Sequence, residues 1–352
     1  MHRRSRITTT FALLLSVSVL GSTSIQPASA SNNLQSNLFI LDVSGSINSV
    51  DLWKNLRVSV VSKLSQPFGI PNPKFKKYPV DVAVTAISQN SANSPIFRIV
   101  SNQDAQDVWG AINLVFPNST DSRIKTISND LFGDNGAWNS QARIFNRTKI
   151  IEPEFGNCKK STLNAMNKGT FLRNTDNRNK MTLASVICEK IIKISKNLKS
   201  ADEYFSQPAC DKNAICSDVA GAIYRASSLA ADLENLQRNE RTKNSLCVAI
   251  ASDMLNEYPG MSSGSLLNSK KIALNAKSIE EATAAGYKAA KSIGIKFSPS
   301  VNTKAVMVGI GSGPNPIALE RNSYLLAYWQ GFWSASGIKE SNQAQSLNQA
   351  CS

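Results

Sequence analysis

A doubly wound α/β fold, with a mostly parallel sheet and one antiparallel edge strand, is what this sequence predicts, on three observations. Apolar runs of strand length at residues 37–41, 245–253 and 305–310 alternate with stretches whose apolar residues recur every three or four positions, the rhythm of βα units. The second and third runs are nearly continuous in apolar residues, as strands covered on both faces must be. Two of the runs close on an aspartate, Asp42 and Asp253, which sets carboxylates at the strand ends where open α/β sheets bind ligands.

In chain order, residues 1–30 come first and stand outside that fold. Arg3, Arg4 and Arg6 form a positive region, residues 11–20 an apolar core, and Ala28-Ser29-Ala30 an A-x-A signal, so the segment reads as a signal peptide cleaved after Ala30. The apolar stretch is too short to span a bilayer comfortably, a retained N-terminal anchor being the alternative reading, and no later stretch is apolar enough to do so. An exported protein, periplasmic or extracellular, is therefore expected. The formal charge is +14 for the whole chain and +11 once the leader's three arginines are removed, a balance that favours acidic partners.

After the first apolar run, Leu52, Leu56, Val60 and Leu64, with Trp53 and Val61, mark an amphipathic helix. A proline- and lysine-bearing loop leads to alternating apolar residues at 80–87. A turn at 90–95 and a second run at 96–100 then complete a hairpin that supplies the antiparallel edge. Ser101 or Asn102 caps a helix whose apolar face is Ala105, Val108, Trp109, Ile112 and Val115.

Periodicity then lapses. Residues 117–213 read as a long insertion with one clear helix, striped by Leu183, Ile187, Ile191, Ile194 and Leu198 and bearing Lys190, Lys193, Lys196 and Lys199 on its other positions. Between Arg143 and Lys199 there are thirteen basic and four acidic residues, a net +9. This makes either a surface for an anionic envelope polymer or simply a solvated, lysine-rich face. Nucleic acid is disfavoured, because aromatic residues are not interleaved with the charges.

Beyond the insertion, Val219, Ala222, Ile223, Ala226, Leu229, Ala230, Leu233 and Leu236 form a long amphipathic helix that precedes the central strand at 245–253. Ser278 and Glu281 form a capping box for a helix lined by Ile279, Ala282, Ala285, Ala289 and Ile293. The strand at 305–310 follows, and a last helix carrying Leu325, Tyr328, Trp329 and Phe332 ends at Gly337.

All six cysteines, Cys158, Cys188, Cys210, Cys216, Cys247 and Cys351, follow the leader. An even number in an exported chain reads as disulfides, with fifteen connectivities open and Cys210–Cys216, the nearest neighbours, as the best single pair. Zinc is disfavoured: there is no C-x-x-C, and the sole histidine, His2, lies in the leader. The Gly309-Ile310-Gly311-Ser312-Gly313 run follows a strand, but Pro314 and Pro316 interrupt the helix start and no Lys-Ser/Thr follows, which disfavours a phosphate loop.

Asp42, Ser44 and Ser46 alternate as the first strand ends, Ser217 opens the long helix, and Asp253 closes the central strand. With these three motifs in this order, residues 36–116 and 214–338 resemble the von Willebrand factor A family, a Rossmann-like fold, with a domain over 36–338 and a tail at 339–352. The family's metal-ion-dependent adhesion site pairs an Asp-x-Ser-x-Ser loop with a Thr at a later helix start and an Asp on the next core strand. This chain keeps the first and third elements and has Ser217 where the family usually has Thr.

The resemblance implies a metal site of Asp42, Ser44, Ser46, Ser217 and Asp253. Hydroxyls and water-bridged carboxylates would leave Mg²⁺ (or Mn²⁺/Ca²⁺) electrophilic enough to capture an acidic side chain of a partner protein. The expected function is thus a non-catalytic, metal-dependent adhesion module. A metal-dependent envelope hydrolase is the alternative class, although the mature chain lacks a histidine base. An envelope protein with a purely structural ion is a third reading.

Overall fold

In the computed structural model, the described residues are 33–44, 53–58, 60, 81–147, 149–207, 216–240, 243–257, 261, 265–312 and 317–351. The leader, Ser46 and Cys210 lie outside them. Strand β1 (Asn33–Asp42) is central, because its neighbours on both sides run parallel to it: β2 (Asp81–Ile87) and β4 (Lys243–Ala251). β3 (Phe97–Val100) pairs antiparallel with β2 and forms one edge, as the hairpin pattern predicts. β5 (Asn302–Val308) and β6 (Glu340–Ala344) extend the sheet on the other side, giving the order β3-β2-β1-β4-β5-β6. The fold is a Rossmann-like, mostly parallel sheet flanked by helices.

Alternation along the strands divides the core in two. Leu38 and Ile40 face one side, with Val248, Ile250 and Met307. They are covered there by α7 (Val219–Glu240), α9 (Ile279–Ser292) and α10 (Leu319–Ala335). Phe39 and Leu41 face the other side, with Val82, Val84 and Ala249, and meet residues of the insertion. Helix α1, helical at residues 53–58 and 60, lends Trp53 and Leu56 to this second face.

Two helix starts follow their sequence signals closely. Ser101 caps α2 (Asn102–Val115) in a full capping box with Asp104. At α9, Ser278 accepts the Glu281 N–H at 3.2 Å as predicted, but the Glu281 carboxylate accepts from the Lys277 N–H, one residue before the cap.

The insertion is ordered and helical over the described part: α3 (Asp121–Phe132), α4 (Ala137–Ala142), α5 (Phe155–Met166) and the 29-residue α6 (Asn177–Phe205). It is part of the core, since Ile127, Leu131, Trp138, Phe145, Ile187 and Ile194 are buried in the same cluster as Phe39 and Leu41. Its positive charge is partly consumed within the chain. Lys193 donates to Asp104 at 2.7 Å, Lys190 reaches both Asp104 (3.3 Å) and Asp107, and Lys199 lies 3.6 Å from Glu152. Burial works to raise the Asp104 carboxyl, but bonds from Lys193 and Ser101 outweigh it and hold the group below its usual range. The net +9 counted along the insertion overstates the free charge, because Asp104 and Asp107 lie outside that stretch.

Disulfides tie the layers: Cys158–Cys188 joins α5 to α6, and Cys247–Cys351 joins the central strand to the C-terminal residues. Cys216 is also disulfide-bonded; Cys210, its expected partner, is not among the described residues. Residues beyond 338, which the sequence leaves outside the domain as a tail, instead carry β6 and the short α11 (Leu347–Ala350). Their composition hides the strand: Glu-Ser-Asn-Gln-Ala is a polar edge with no apolar face.

At the N-terminal end of the sheet, Asp81 is buried and accepts the Ser36 hydroxyl at 3.3 Å. Its other carboxylate oxygen, and both amide atoms of buried Asn37, have no hydrogen-bond partner among the described residues. Burial, opposed by Arg98 and the Ser36 hydroxyl, raises the Asp81 pKa from 3.8 to about 6. The folded chain therefore holds this proton more tightly than the unfolded chain. The stability attached to it is fully present below 3.8 and is lost as the pH rises through about 6, an effect on the order of 3 kcal/mol. Asp81→Asn is expected to flatten that decline in urea denaturation and to be the more stable protein above about pH 6. Parallel pH profiles for the two proteins would count against this account.

Candidate metal centre

The chain leaves β1 towards β2 and leaves β4 towards β5, so the crevice beyond the C-terminal ends of β1 and β4 is the topological switch point of the sheet. Leu41 stands opposite Ala251 in that pair, which brings Asp42 level with Ser252 and one residue short of Asp253.

Asp42 is fully buried, so its oxygens need partners. Oδ1 accepts the Ser44 backbone N–H at 2.9 Å, turning the chain sharply off the strand. Oδ2 accepts the Ser252 hydroxyl at 2.7 Å and the Ser217 hydroxyl at 3.4 Å. Three segments far apart in sequence thus meet on one carboxylate.

Ser217 is not the cap of α7. That role falls to Asp218, whose Oδ1 accepts the Gly221 N–H at 2.8 Å and whose Oδ2 accepts the Ser91 N–H at 3.0 Å. Burial raises the Asp218 carboxyl, against these two bonds. The backbone of Ser217 is fixed by a two-way bridge to Glu257, at 2.6 and 2.9 Å, so its hydroxyl is left to Asp42. Cys216 places its sulfur 3.7 Å from the Ser44 carbonyl, joining the first and second loops again.

Asp253 makes the same kind of turn as Asp42: its Oδ1 accepts the Leu255 N–H at 3.0 Å. Its carbonyl accepts the Gly311 N–H at 2.8 Å, and Gly309 and Gly311 both take positive φ. The glycine run that superficially suggests a phosphate loop therefore braces Asp253. Between these residues Met254, also buried, is held at φ 63°, a left-handed geometry that costs a non-glycine residue roughly 1–2 kcal/mol. Its N–H donates to Ser252 Oγ at 2.9 Å, and its carbonyl accepts from Ser269 Oγ and Trp329 Nε1, each at 2.9 Å. Those bonds over-determine the bend that carries the chain past Asp253.

The structure thus unites Asp42, Ser44 and Ser217 in one contact set and places Asp253 on the adjoining loop; Ser46 is not among the described residues. Sequence reasoning missed Ser252, which was readable only by setting β1 and β4 in register. Among the described residues no group of three or more His, Cys, Asp or Glu side chains is gathered to hold a metal ion. The donors here are of another kind, two carboxylates supported by hydroxyls. A hydroxyl that gives its proton to Asp42 keeps its lone pairs for a hard cation, so the donor set fits Mg²⁺ or a similar ion. No helix among the described residues is long and apolar enough to cross a membrane.

No family model matches the chain, and no curated protein matches it. Among solved structures, the chain is similar to human COPII-coat protein Sec24c at 10% identity and a TM-score of 0.28, over 90% of this chain and 30% of that one. The chain spans less than a third of the length of that protein.

Proposed function

We propose that this chain is an exported, non-catalytic binding protein of the von Willebrand factor A type, which uses a divalent cation to capture an acidic side chain of a partner protein. The observation that supports this reading best is the Ser217–Asp42 bond: a helix-start hydroxyl is turned away from capping and towards the carboxylate that ends β1. Ser44 and Ser217 would hold the cation through their hydroxyl oxygens, while Asp42 and Asp253 fix those loops and supply negative charge behind them. When bound, Mg²⁺ (or Mn²⁺/Ca²⁺) supplies a positive centre whose remaining coordination positions accept anionic oxygen. The basic insertion is proposed as a second contact, for an anionic envelope polymer.

Calorimetry with Mg²⁺ and Mn²⁺ should register binding by the parent and by Ser217→Thr, and binding weakened at least about tenfold in Ser217→Ala. Equal affinity in the alanine variant would remove Ser217 from the site. Capture of a partner from an envelope extract should disappear in chelator; capture that survives chelation would leave the cation no part in the contact.

A further inference from the structure

Within the insertion lies a cleft of about 710 Å³, formed by the loop after α3, helices α4 and α5, and the turn at residues 168–170. That volume lies in the range of small-molecule sites, roughly 300–1,000 Å³, yet the walls are unlike those of a typical one. They include Asn129, Asn135, Asn164, Ser140, Ser161 and Thr170, and no aromatic or branched aliphatic side chain. An apolar molecule or a flat cofactor would find no surface to bury against. A ligand able to form hydrogen bonds on every edge would be matched, since each amide wall offers both a donor and an acceptor.

Four charged residues complete the lining, and they are not equivalent. Asp130 is buried and spent: its oxygens accept the N–H groups of Thr170 (2.9 Å), Phe171 (2.7 Å) and Leu172 (2.9 Å). Asp134, Arg143 and Lys168 are exposed and form no ion pair among the described residues, unlike Lys190 and Lys193 of the same insertion. The exposed charges at the cleft are therefore two cations and one carboxylate, set above the Asp130 carboxylate, whose neutral N–H partners leave its charge in place.

The frame is held in advance of any ligand. Asn139 donates to the Gly133 carbonyl at 2.9 Å, and Gln141 joins α4 to α5 by donating to Ser161 Oγ at 2.7 Å. Gly169 packs so closely on Asp130 that a Cβ there would come within 2.7 Å of the carboxylate. Such pre-ordering lowers the entropy cost of binding a polar ligand.

We propose that this cleft binds an acidic saccharide, with Arg143 and Lys168 taking the carboxylate and the amide and hydroxyl walls taking the ring hydroxyls. Arg143 and Lys168 offer charge-assisted bonds to a carboxylate, the two acidic residues of the lining disfavour a doubly charged phosphate group, and the density of neutral donor–acceptor groups suits a polyol. The site is separate from the metal centre and does not depend on it.

Galacturonate, its neutral methyl ester and inorganic phosphate serve as probes, titrated against the full chain by calorimetry. Galacturonate should bind, the ester at least about tenfold more weakly, and the Arg143→Gln/Lys168→Gln double variant at least about tenfold more weakly than the parent. Because both positions are exposed, the variant should keep the parent's circular dichroism and melting temperature. Asp42→Asn, altered only at the metal centre, should bind galacturonate as the parent does. Equal binding of ester and acid, undiminished binding by the double variant, or complete displacement of the saccharide by equimolar phosphate would each overturn the assignment. So would loss of saccharide binding in folded Asp42→Asn with retention in the double variant.

Discussion

Alanine at Asp42 is expected to abolish binding of Mg²⁺ and Mn²⁺ and to destabilise the fold at the same time. The carboxylate is wholly buried and, among the bonds to described residues, accepts from the Ser44 backbone and the Ser217 and Ser252 hydroxyls. Truncation strands these donors, and a buried donor left unpaired costs about 1–3 kcal/mol. Partial rearrangement of the two hydroxyls brings the expected loss to roughly 3 kcal/mol in urea denaturation. Loss of binding in that variant alone could therefore reflect damaged loops. Asp42→Asn separates the two effects: it keeps the shape and one accepting oxygen but removes the charge, so it should fold while binding the cations at least about a hundredfold more weakly. The parent should gain melting temperature with added Mg²⁺ through mass action, whereas the asparagine variant should not. An unchanged calorimetric isotherm for folded Asp42→Asn would exclude Asp42 from the centre.

How much of this was legible in the sequence varies with the kind of signal. The strands at 245–253 and 305–310 were readable because burial on both faces demands apolar residues at every position, and β4 and β5 fall there. The start of α2 was readable because a cap acts locally, and Ser101, one of the two candidates, is the cap. Asp42, Ser44 and Ser217 were singled out as residue types at strand and helix ends, and the fold brings them together.

What stayed hidden depends on partners distant in the chain. Helices α3, α4 and α5 bury short, interrupted apolar sets such as Ile127 and Leu131 or Trp138 against a sheet supplied by other segments, so their own periodicity is weak. Cys158–Cys188 and Cys247–Cys351 span 30 and 104 residues, and spacing alone does not select such pairs among fifteen connectivities. Ser252 has no motif of its own; its role follows from the register of two strands. The polar β6 gave no signal because an exposed edge does not require one.

The largest purely structural effect is expected where α9 crosses α10, and two opposing terms decide its sign. Replacing glycine by alanine inside a helix normally stabilises by about 1 kcal/mol, because the glycine backbone has more freedom to lose. Gly110 in α2 is such a case: a Cβ there meets nothing within 4 Å, so Gly110→Ala should gain up to about 1 kcal/mol. At the crossing the space is already filled. A Cβ on Gly286 would overlap the Tyr328 carbonyl oxygen and lie 2.7 Å from its carbon, and one on Gly331 would overlap the Thr283 carbonyl in the same way. The obstacles are backbone atoms, which cannot rotate aside, so the helices must separate. Separation withdraws Tyr328, Trp329, Phe332 and Trp333 from the core and strains the Trp329–Met254 bond next to Asp253. Overpacking of this kind costs roughly 1–3 kcal/mol or more, which exceeds the propensity gain. Gly286→Ala and Gly331→Ala should therefore each lose about 2 kcal/mol or more in urea denaturation, with valine worse than alanine. If either variant matched Gly110→Ala in stability, the two backbones could not be in contact at this crossing, and the support that α10 gives to the Met254 turn would have to come from elsewhere.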